Sequence, residues 1–310
     1  MKVTVVGAGM VGSTFAYRLV VSGMASEIVL IDVNADRAVG EAMDMSHAAS
    51  IEYPTQIRQG DYSDSADSDF IVITAGLSNL KDGTRLDLAQ KNAEIFKDIV
   101  PKLVQYSPNA FYLVVSNPAD VMAYATYKYS GLDPRRIIGS GTVLDSARLR
   151  ALLSHKIGVS ATQISAYSLG EHGDSQVPIY SRVSVRGIEL ESFLRQKGMS
   201  FSDEEKAQMT ENVRTAAYQI IAKKMATYYG IGSSLLRIMR AISRNENVIL
   251  PISTLAKGDY DINDVYLALP TLVNHEGAGQ VFDLSLSQGE YQELLKSAAT
   301  LKEYVQSLPD

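Results

Sequence analysis

A glycine-rich turn directly after the first apolar run constrains the fold of this chain more than any other feature. Residues 3–6 form a run typical of a short strand, and GAGMVG follows at positions 7–12. Because Gly7 and Gly9 have no side chains, the backbone can turn sharply there and approach a pyrophosphate, whose charge is met by amides at the N-terminus of the next helix. Gly12 allows that helix to pack closely on the strand. The sequence therefore predicts a dinucleotide-binding unit of strand, glycine turn and helix.

An acidic residue stands where such a unit binds the ribose of its ligand. Asp32 ends the second apolar run, 20 positions after Gly12 (32 − 12). A carboxylate at this place accepts hydrogen bonds from the adenosine ribose hydroxyls and repels a 2′-phosphate. We therefore expect NAD, rather than NADP, as the cofactor. A glycine turn followed by an unrelated strand-capping aspartate is disfavoured, because motif, strand, helix and acid agree.

Strand and helix patterns alternate through the first half of the chain. Continuous apolar runs of this kind are typical of strands buried on both faces. The strand-length runs are 3–6, 28–31, 70–74 and 112–115, and the helix-length segments are 11–23, 37–50, 86–106 and 119–130. This repetition predicts an α/β fold with a Rossmann-type, doubly wound parallel sheet.

The pattern changes from residue 143 onward. It predicts one long helix there, alternating strands around 177–188, and long helices from Ser202 and from Ser287 to Ser307. Such a mixture is typical of an α+β domain. We therefore expect an NAD-binding domain over residues 1–142 and a mixed α+β catalytic domain over 143–310, closely docked.

Charge and composition exclude several classes of partner. The net charge of -6 gives no basic footprint, so neither nucleic acid nor an anionic membrane is expected as a partner. The absence of cysteine excludes disulfides, thiolate nucleophiles and cysteine-ligated zinc, and we assign no metal site. The N-terminus does not resemble a signal peptide, and no apolar stretch of about 18 residues occurs. We expect a cytoplasmic protein.

A histidine in a glycine-containing turn is the candidate proton carrier. His172 lies in EHGDS at 171–175, and an imidazole with an ordinary pKa of about 6.5 can supply and recover a proton near neutral pH. Asp145 and Arg148 share one face of a predicted helix. Asp145 could hold the tautomer of the histidine, and Arg148 could bind a substrate carboxylate through two parallel hydrogen bonds. The same spacing also fits a surface ion pair, and both interpretations stay open.

These motifs, together with SNP at 116–118 and LDSAR at 144–148, resemble the lactate/malate dehydrogenase family over nearly the whole chain. The resemblance is closest to the bacterial L-lactate dehydrogenases, through TRLDL at 84–88, ATYYG at 226–230, and the stretch from NEN at 245 to DVY at 264. It implies an NAD-dependent dehydrogenase of small L-2-hydroxy acids, with lactate and pyruvate as the expected pair.

The resemblance also implies roles for individual residues. His172 corresponds to the acid/base of the family, Asp145 to the aspartate that orients it, and Arg148 to the arginine that binds the substrate carboxylate. Arg85 corresponds to a second arginine, which lies on a mobile loop and polarises the carbonyl. The loop at 76–84 is glycine-bearing and polar, as a closing lid requires.

Three further positions bear on cofactor and substrate. Asn117 corresponds to the asparagine that contacts the nicotinamide side and the substrate oxygen. Asn79 falls where lactate enzymes typically have glutamine and malate enzymes arginine. A neutral amide leaves the second carboxylate of oxaloacetate unpaired, so malate is disfavoured. The shorter asparagine favours larger 2-oxo acids, and an L-2-hydroxyisocaproate-type dehydrogenase is the alternative. Thr227, shared with lactate-type enzymes, favours a small pocket.

The resemblance implies a homo-oligomer as well, with a tetramer expected rather than a dimer. Many bacterial relatives are activated by fructose 1,6-bisphosphate through an arginine and a histidine. Arg150 matches the arginine, whereas Ser165 stands at the histidine position, so we expect weak or no activation. A non-catalytic NAD-binding protein that kept the fold is the alternative from another functional class.

Overall fold

The computed structural model describes residues 1–77 and 84–309. Within these ranges the strands are β1 (Lys2–Val6), β2 (Glu27–Ile31), β3 (Gln56–Gln59), β4 (Phe70–Ile73), β5 (Phe111–Val114), β6 (Ile137–Gly139), β7 (Ile164–Ser165), β8 (Ser168–Leu169), β9 (Val177–Pro178), β10 (Ser184–Val185), β11 (Ile188–Glu189), β12 (Val248–Lys257), β13 (Asn263–Asn274) and β14 (Gly277–Val281). The α-helices are α1 (Met10–Ser22), α2 (Ala35–Ala49), α3 (Arg85–Tyr106), α4 (Ala119–Ser130), α5 (Val143–Ile157), α6 (Leu190–Lys197), α7 (Asp203–Lys224), α8 (Tyr229–Ser243) and α9 (Gln288–Gln306).

One nine-stranded sheet organises the molecule, with the strand order β14-β13-β12-β6-β5-β4-β1-β2-β3. The six strands β6, β5, β4, β1, β2 and β3, which are neighbours in this order, pair in parallel as predicted. The chain builds the sheet outward from β1 to β3, and then continues from β4 on the other side of β1. The carboxyl ends of β1 and β4 therefore form a topological switch point, where ligands of such sheets bind.

The apolar runs alternate between two hydrophobic cores, one on each face of the sheet. In β2, Ile28 and Leu30 face the core beneath α1, α2 and α8. Val29 and Ile31 face the core beneath α3, α4 and α9. All four side chains are buried, which confirms the prediction of strands covered on both faces.

The second half of the chain adds three strands to the same sheet. Strands β12 to β14 continue the nine-stranded sheet in antiparallel fashion, joined to β6 through the pair Ser253 and Gly139. Pro251 and Pro270 lie opposite each other in β12 and β13. Because proline lacks a backbone donor, it is unusual inside a strand, and the sequence pattern alone does not indicate strands at these positions.

A smaller third core, formed by α5, α6 and α7 with the short strands β7 and β10, packs beside the sheet. The predicted helix from residue 143 is α5. The helices predicted from Ser202 and Ser287 are α7 and α9, and both of these begin with a serine capping box. The alternating strands around 177–188 are short pieces of two residues. Among the described residues, no helix has the length and apolarity needed to span a bilayer.

Candidate active site

The glycine turn lies at the switch point, and two of its glycines are required by the protein itself. Gly7 has a φ of 104°, and a Cβ there would lie 2.7 Å from the amide nitrogen of Ala75. A Cβ on Gly12 would overlap the carbonyl oxygen of Gly7 and come within 2.8 Å of the hydroxyl of Thr74. Both glycines therefore allow α1 and the β4 loop to close tightly around the turn.

Gly9 is different, because a Cβ there would meet no atom within 4 Å. It is the N-cap of α1 and offers no side chain to the helix, so amides of the first turn stay available to a ligand. The open space above this backbone is the space a pyrophosphate would fill. The local structure thus fits a dinucleotide cofactor at the place that the sequence predicts.

Asp32 closes the same turn from the end of β2. Its Oδ2 accepts a hydrogen bond from the amide of Ala8 at 2.6 Å, and its Oδ1 accepts one from the amide of Asn34 at 2.8 Å. The carboxylate is thereby held beside the glycine turn, half-buried, at the carboxyl edge of the sheet. This position suits an acceptor for ribose hydroxyls.

The contrast between Gly9 and Gly12 allows a paired test. We expect Gly9→Ala to change the free energy of unfolding by no more than about 1 kcal/mol, and to weaken NADH binding about tenfold, or about 1.4 kcal/mol. Gly12→Ala, the matched control, should destabilise the fold by about 1–3 kcal/mol through overpacking. Fluorescence titration with NADH and thermal unfolding measure the two effects. Unchanged NADH affinity in Gly9→Ala would contradict the placement of the pyrophosphate.

Asn117 lies beyond β5 and lines a small cavity of about 110 Å³ with Thr74, Gly76 and Val11. Its carbonyl oxygen accepts a hydrogen bond of 2.7 Å from Nδ2 of Asn92, a buried residue of α3 that the sequence analysis did not single out. A much larger cavity, of about 700 Å³, opens at the opposite edge of the sheet, where the strands begin. Size alone does not mark the site, since the glycine turn and Asn117 lie at the carboxyl edge.

Asn92 also holds the start of the candidate lid. Its Oδ1 accepts from the amide of Leu77 at 2.8 Å, and its Nδ2 donates to the carbonyl of Leu77 at 3.1 Å. The sequence carries one sign of this role: Asn92 is a polar residue on the helix face formed by the apolar residues Ala89, Ala93 and Phe96, which are buried. A buried amide needs hydrogen-bond partners, and here these partners are the backbones of two loops at the site.

The predicted catalytic residues of α5 and the 171–175 turn come together. Nδ1 of His172 donates to Oδ2 of Asp145 at 2.6 Å, and Nη1 of Arg148 donates to Oδ1 of the same carboxylate at 2.8 Å. The side chain of Asp145 is 0% exposed, that of Arg148 14% and that of His172 22%. The ion pair left open in the sequence analysis therefore exists, and it is not a surface pair.

The electrostatics of this trio favour a charged imidazole. The carboxylate of Asp145 raises the pKa of His172 above its usual 6.5, although burial opposes the charge. Burial also opposes ionisation of Asp145, but His172 and Arg148 outweigh it and hold the pKa of that carboxyl below its ordinary value. With Nδ1 bound to Asp145, Nε2 is the nitrogen that can exchange a proton with a substrate.

Arg85 begins α3 and reaches the same turn. Its guanidinium donates to Oε1 of Glu171 at 3.1 Å and to the hydroxyl of Tyr218 at 3.0 Å, and lies 3.3 Å from Oδ2 of Asp174. A Cβ on Gly173 would lie 2.6 Å from this guanidinium and 2.6 Å from Oε1 of Glu171, the ends of two flexible side chains that pack against the turn. Arg85 thus lies next to the imidazole turn as the first residue of α3, whereas the resemblance implies an arginine on a mobile loop. Its acidic partners in the turn were not predicted from the sequence.

The structure describes some, but not all, of the remaining positions that the sequence analysis singles out. Asn79 lies outside the described residues, while Thr84 caps α3 in a capping box with Asp87. Thr227 is half-buried in the link between α7 and α8. Arg150 is half-buried beside Ser165 in a separate cavity of about 340 Å³.

The glycine turn at a switch point, the acid after β2 and the buried imidazole–carboxylate pair define an NAD-dependent oxidoreductase. Two family models match the chain: lactate/malate dehydrogenase, NAD binding domain, at residues 1–139, and lactate/malate dehydrogenase, alpha/beta C-terminal domain, at residues 142–308. The chain belongs to the lactate/malate dehydrogenase family.

Individual relatives agree with this assignment over the full length. The chain is 44% identical to an L-lactate dehydrogenase of Clostridium perfringens, covering 98% of this chain and 96% of the relative. It is 45% identical to that of Acetivibrio thermocellus, covering 99% and 97%. Among solved structures, the minor L-lactate dehydrogenase of Enterococcus mundtii matches with a TM-score of 0.95 at 35% identity, covering 99% and 98%. A lactate dehydrogenase from a Medee basin deep-sea metagenome matches with a TM-score of 0.94 at 42% identity, with the same coverage.

Proposed function

We propose that this chain is an L-lactate dehydrogenase that reversibly reduces pyruvate to L-lactate with NADH. The observation that carries the proposal is the buried carboxylate of Asp145, which binds His172 through one oxygen and Arg148 through the other. One side chain thereby aligns a proton donor with a cation suited to a carboxylate, the two groups that a 2-oxo acid requires. The relatives named L-lactate dehydrogenase support the same substrate.

In this proposal the protein residues bind the substrate and manage its proton. When bound, NADH supplies the hydride that reduces the carbonyl carbon. Arg148 pairs with the substrate carboxylate, and protonated His172 delivers its Nε2 proton to the carbonyl oxygen. Asp145 keeps the imidazolium in the correct tautomer and stabilises its charge. The fixed trio reduces the reorganisation needed when the proton moves.

Arg85 and Asn117 complete the proposed site. Asn117 lines the small cavity beside the glycine turn, and we assign its side chain to the nicotinamide side and the substrate oxygen. Arg85 is held by Glu171 and Tyr218, immediately beside the histidine. In the proposed reaction its guanidinium turns from these partners to the carbonyl oxygen, where it stabilises the developing negative charge.

Substrate choice rests on Asn79 and Thr227. The proposal for Asn79 comes from the family resemblance, and its uncharged side chain disfavours oxaloacetate. Its shortness keeps an L-2-hydroxyisocaproate-type dehydrogenase as the second candidate, while Thr227 favours the smaller pyruvate. The two candidates differ only in pocket size, because the trio of Asp145, Arg148 and His172 serves any 2-oxo acid.

The remaining expectations concern organisation and regulation. We propose that residues 1–142 bind NAD and that residues 143–310 supply the catalytic groups, since the glycine turn comes from the former and the trio from the latter. We further propose a cytoplasmic homo-oligomer, preferably a tetramer. Ser165 in place of a histidine supports weak or absent activation by fructose 1,6-bisphosphate.

The rate of pyruvate reduction by NADH, followed from about pH 6 to about pH 10, tests this function and its acid/base group. Reduction requires charged His172, whose pKa Asp145 raises above 6.5. The rate should therefore stay high past pH 6.5 and fall as the pH rises through the raised value, while lactate oxidation rises over the same range. A reduction rate that is flat over the whole range would contradict the role of His172.

A further inference from the structure

A second carboxylate lies beneath the catalytic turn and takes no part in the mechanism described above. Asp120, in the first turn of α4, accepts a hydrogen bond of 2.7 Å from the backbone amide of His172 through its Oδ2. The residue is 1% exposed. Its Oδ1 is buried too and has no hydrogen-bond partner among the described residues, and the same holds for the hydroxyl of Ser253 in β12, which lies close enough to lower the pKa of Asp120. Helix α4 thus places an acidic group directly behind the histidine.

The surroundings make this carboxylate costly to ionise. Burial raises the pKa of Asp120 to about 6, and the charge of Glu171 adds to this effect. Ser253, the amide of His172 and the imidazole charge act in the opposite direction. A buried carboxyl with such a pKa is expensive for the fold at neutral pH, so a neutral amide would be the more stable choice at this position.

The free-energy cost of ionising Asp120 is offset by its effect on His172. The imidazole is faced by Asp145 and Arg148 from α5 and by Asp120 from α4. Asp145 and Asp120 both raise the pKa of His172, whereas Arg148 lowers it. Asp120 therefore supplies part of the negative potential that keeps the proton on the histidine, and its hydrogen bond fixes the backbone from which the ring projects.

We propose that Asp120 is a positioning residue, which holds His172 through its backbone amide and favours the protonated imidazole through its own charge. The proposal rests on the proposed role of His172 as the proton donor. It predicts that Asp120→Asn separates stability from function. The amide oxygen can still accept the hydrogen bond of His172, but the charge is gone.

The expected direction for stability follows from the linkage between protonation and folding. Because the folded-state pKa of about 6 lies above the unfolded value of 3.8, the native state of the parent loses stability as the pH rises through that window. Asp120→Asn lacks this loss. Its melting temperature should exceed that of the parent by more at pH 8 than at pH 4.

Nuclear magnetic resonance of histidine-labelled protein tests the proposal without relying on turnover. The chain has four histidines, and the His172 signals are assigned by their absence in His172→Gln. In the parent, the His172 amide should show an inflection near pH 6 as Asp120 ionises, besides the one that its own imidazole causes at higher pH. In Asp120→Asn this inflection should disappear and the imidazole pKa should fall, so that the alkaline limb of pyruvate reduction moves to lower pH. Asp98→Asn, the same change at an exposed carboxylate of α3, should alter none of these.

Each outcome decides the question. If the His172 amide of the parent shows no inflection besides that of its own imidazole, the proposal is overturned even if Asp120→Asn does not fold. An unchanged imidazole pKa in Asp120→Asn, with a lower melting temperature at both pH values, would reduce Asp120 to a structural role and overturn it as well. A protein that fails to reduce pyruvate would refute the proposed function, while the titrations would still report on Asp120 and His172.

Discussion

His172→Asn is expected to lower kcat for pyruvate reduction by about 10²–10⁴-fold, the usual contribution of a positioned acid/base group. The amide cannot deliver a proton, and Asp145 is left without the imidazolium whose charge it stabilises. NADH affinity should stay unchanged, because the glycine turn and Asp32 lie in the other part of the site. Steady-state kinetics with fluorescence titration of NADH measure both quantities.

A second histidine of the chain provides the control for this variant. His155 is exposed on α5, and His155→Asn makes the same chemical change away from the trio. It should retain the parent's kcat. If His172→Asn kept more than about a tenth of the parent's turnover, His172 would not be the acid that protonates the carbonyl oxygen.

Arg148→Lys is expected to lower kcat/KM for pyruvate by about 10²-fold, or about 2.7 kcal/mol. Lysine keeps the positive charge but loses the planar fork that can bind Asp145 and a substrate carboxylate at the same time. Because Arg148 also contacts Asp145, the variant could act through the histidine instead. Methyl pyruvate, which has no free carboxylate, separates the two effects.

If Arg148 binds the substrate carboxylate, Arg148→Lys should reduce kcat/KM for pyruvate and leave that for methyl pyruvate nearly unchanged. Equal losses for both compounds would assign the residue to the support of Asp145 alone. Arg135→Lys is the matched control, since Arg135 forms an exposed i,i+2 pair with Asp133 far from the trio. It should leave both values as in the parent.

The parts of the fold that the sequence predicted are those where local pattern and burial coincide. The runs at β1, β2, β4 and β5 are apolar on both faces, so their pattern alone indicates a parallel sheet. Gly12 is constrained within the turn itself by the carbonyl of Gly7, although both glycines also lie against Thr74, far along the chain. Asp145 and Arg148 could be paired from helical spacing, although only the fold shows that the pair is buried.

Other contacts of the site join segments that are far apart in the sequence, and no local sequence pattern predicts them. Asp120 meets His172 across 52 positions, and Arg85 meets Glu171 across 86. Asn92 gives a weak signal, as a polar residue on an apolar helix face, but its partners at Leu77 and Asn117 come from two separate loops. Long-range geometry, rather than residue type, assigns these residues to the site.

The most direct test of the proposed function is NADH oxidation by the purified protein with pyruvate, 2-oxoisocaproate and oxaloacetate compared side by side, each with and without fructose 1,6-bisphosphate. We expect the highest kcat/KM for pyruvate, with a saturation curve that the sugar bisphosphate leaves unchanged. Preference for 2-oxoisocaproate would favour the hydroxyisocaproate-type alternative, and preference for oxaloacetate would contradict the role given to Asn79. Turnover of none of the three acids would contradict the proposed function itself.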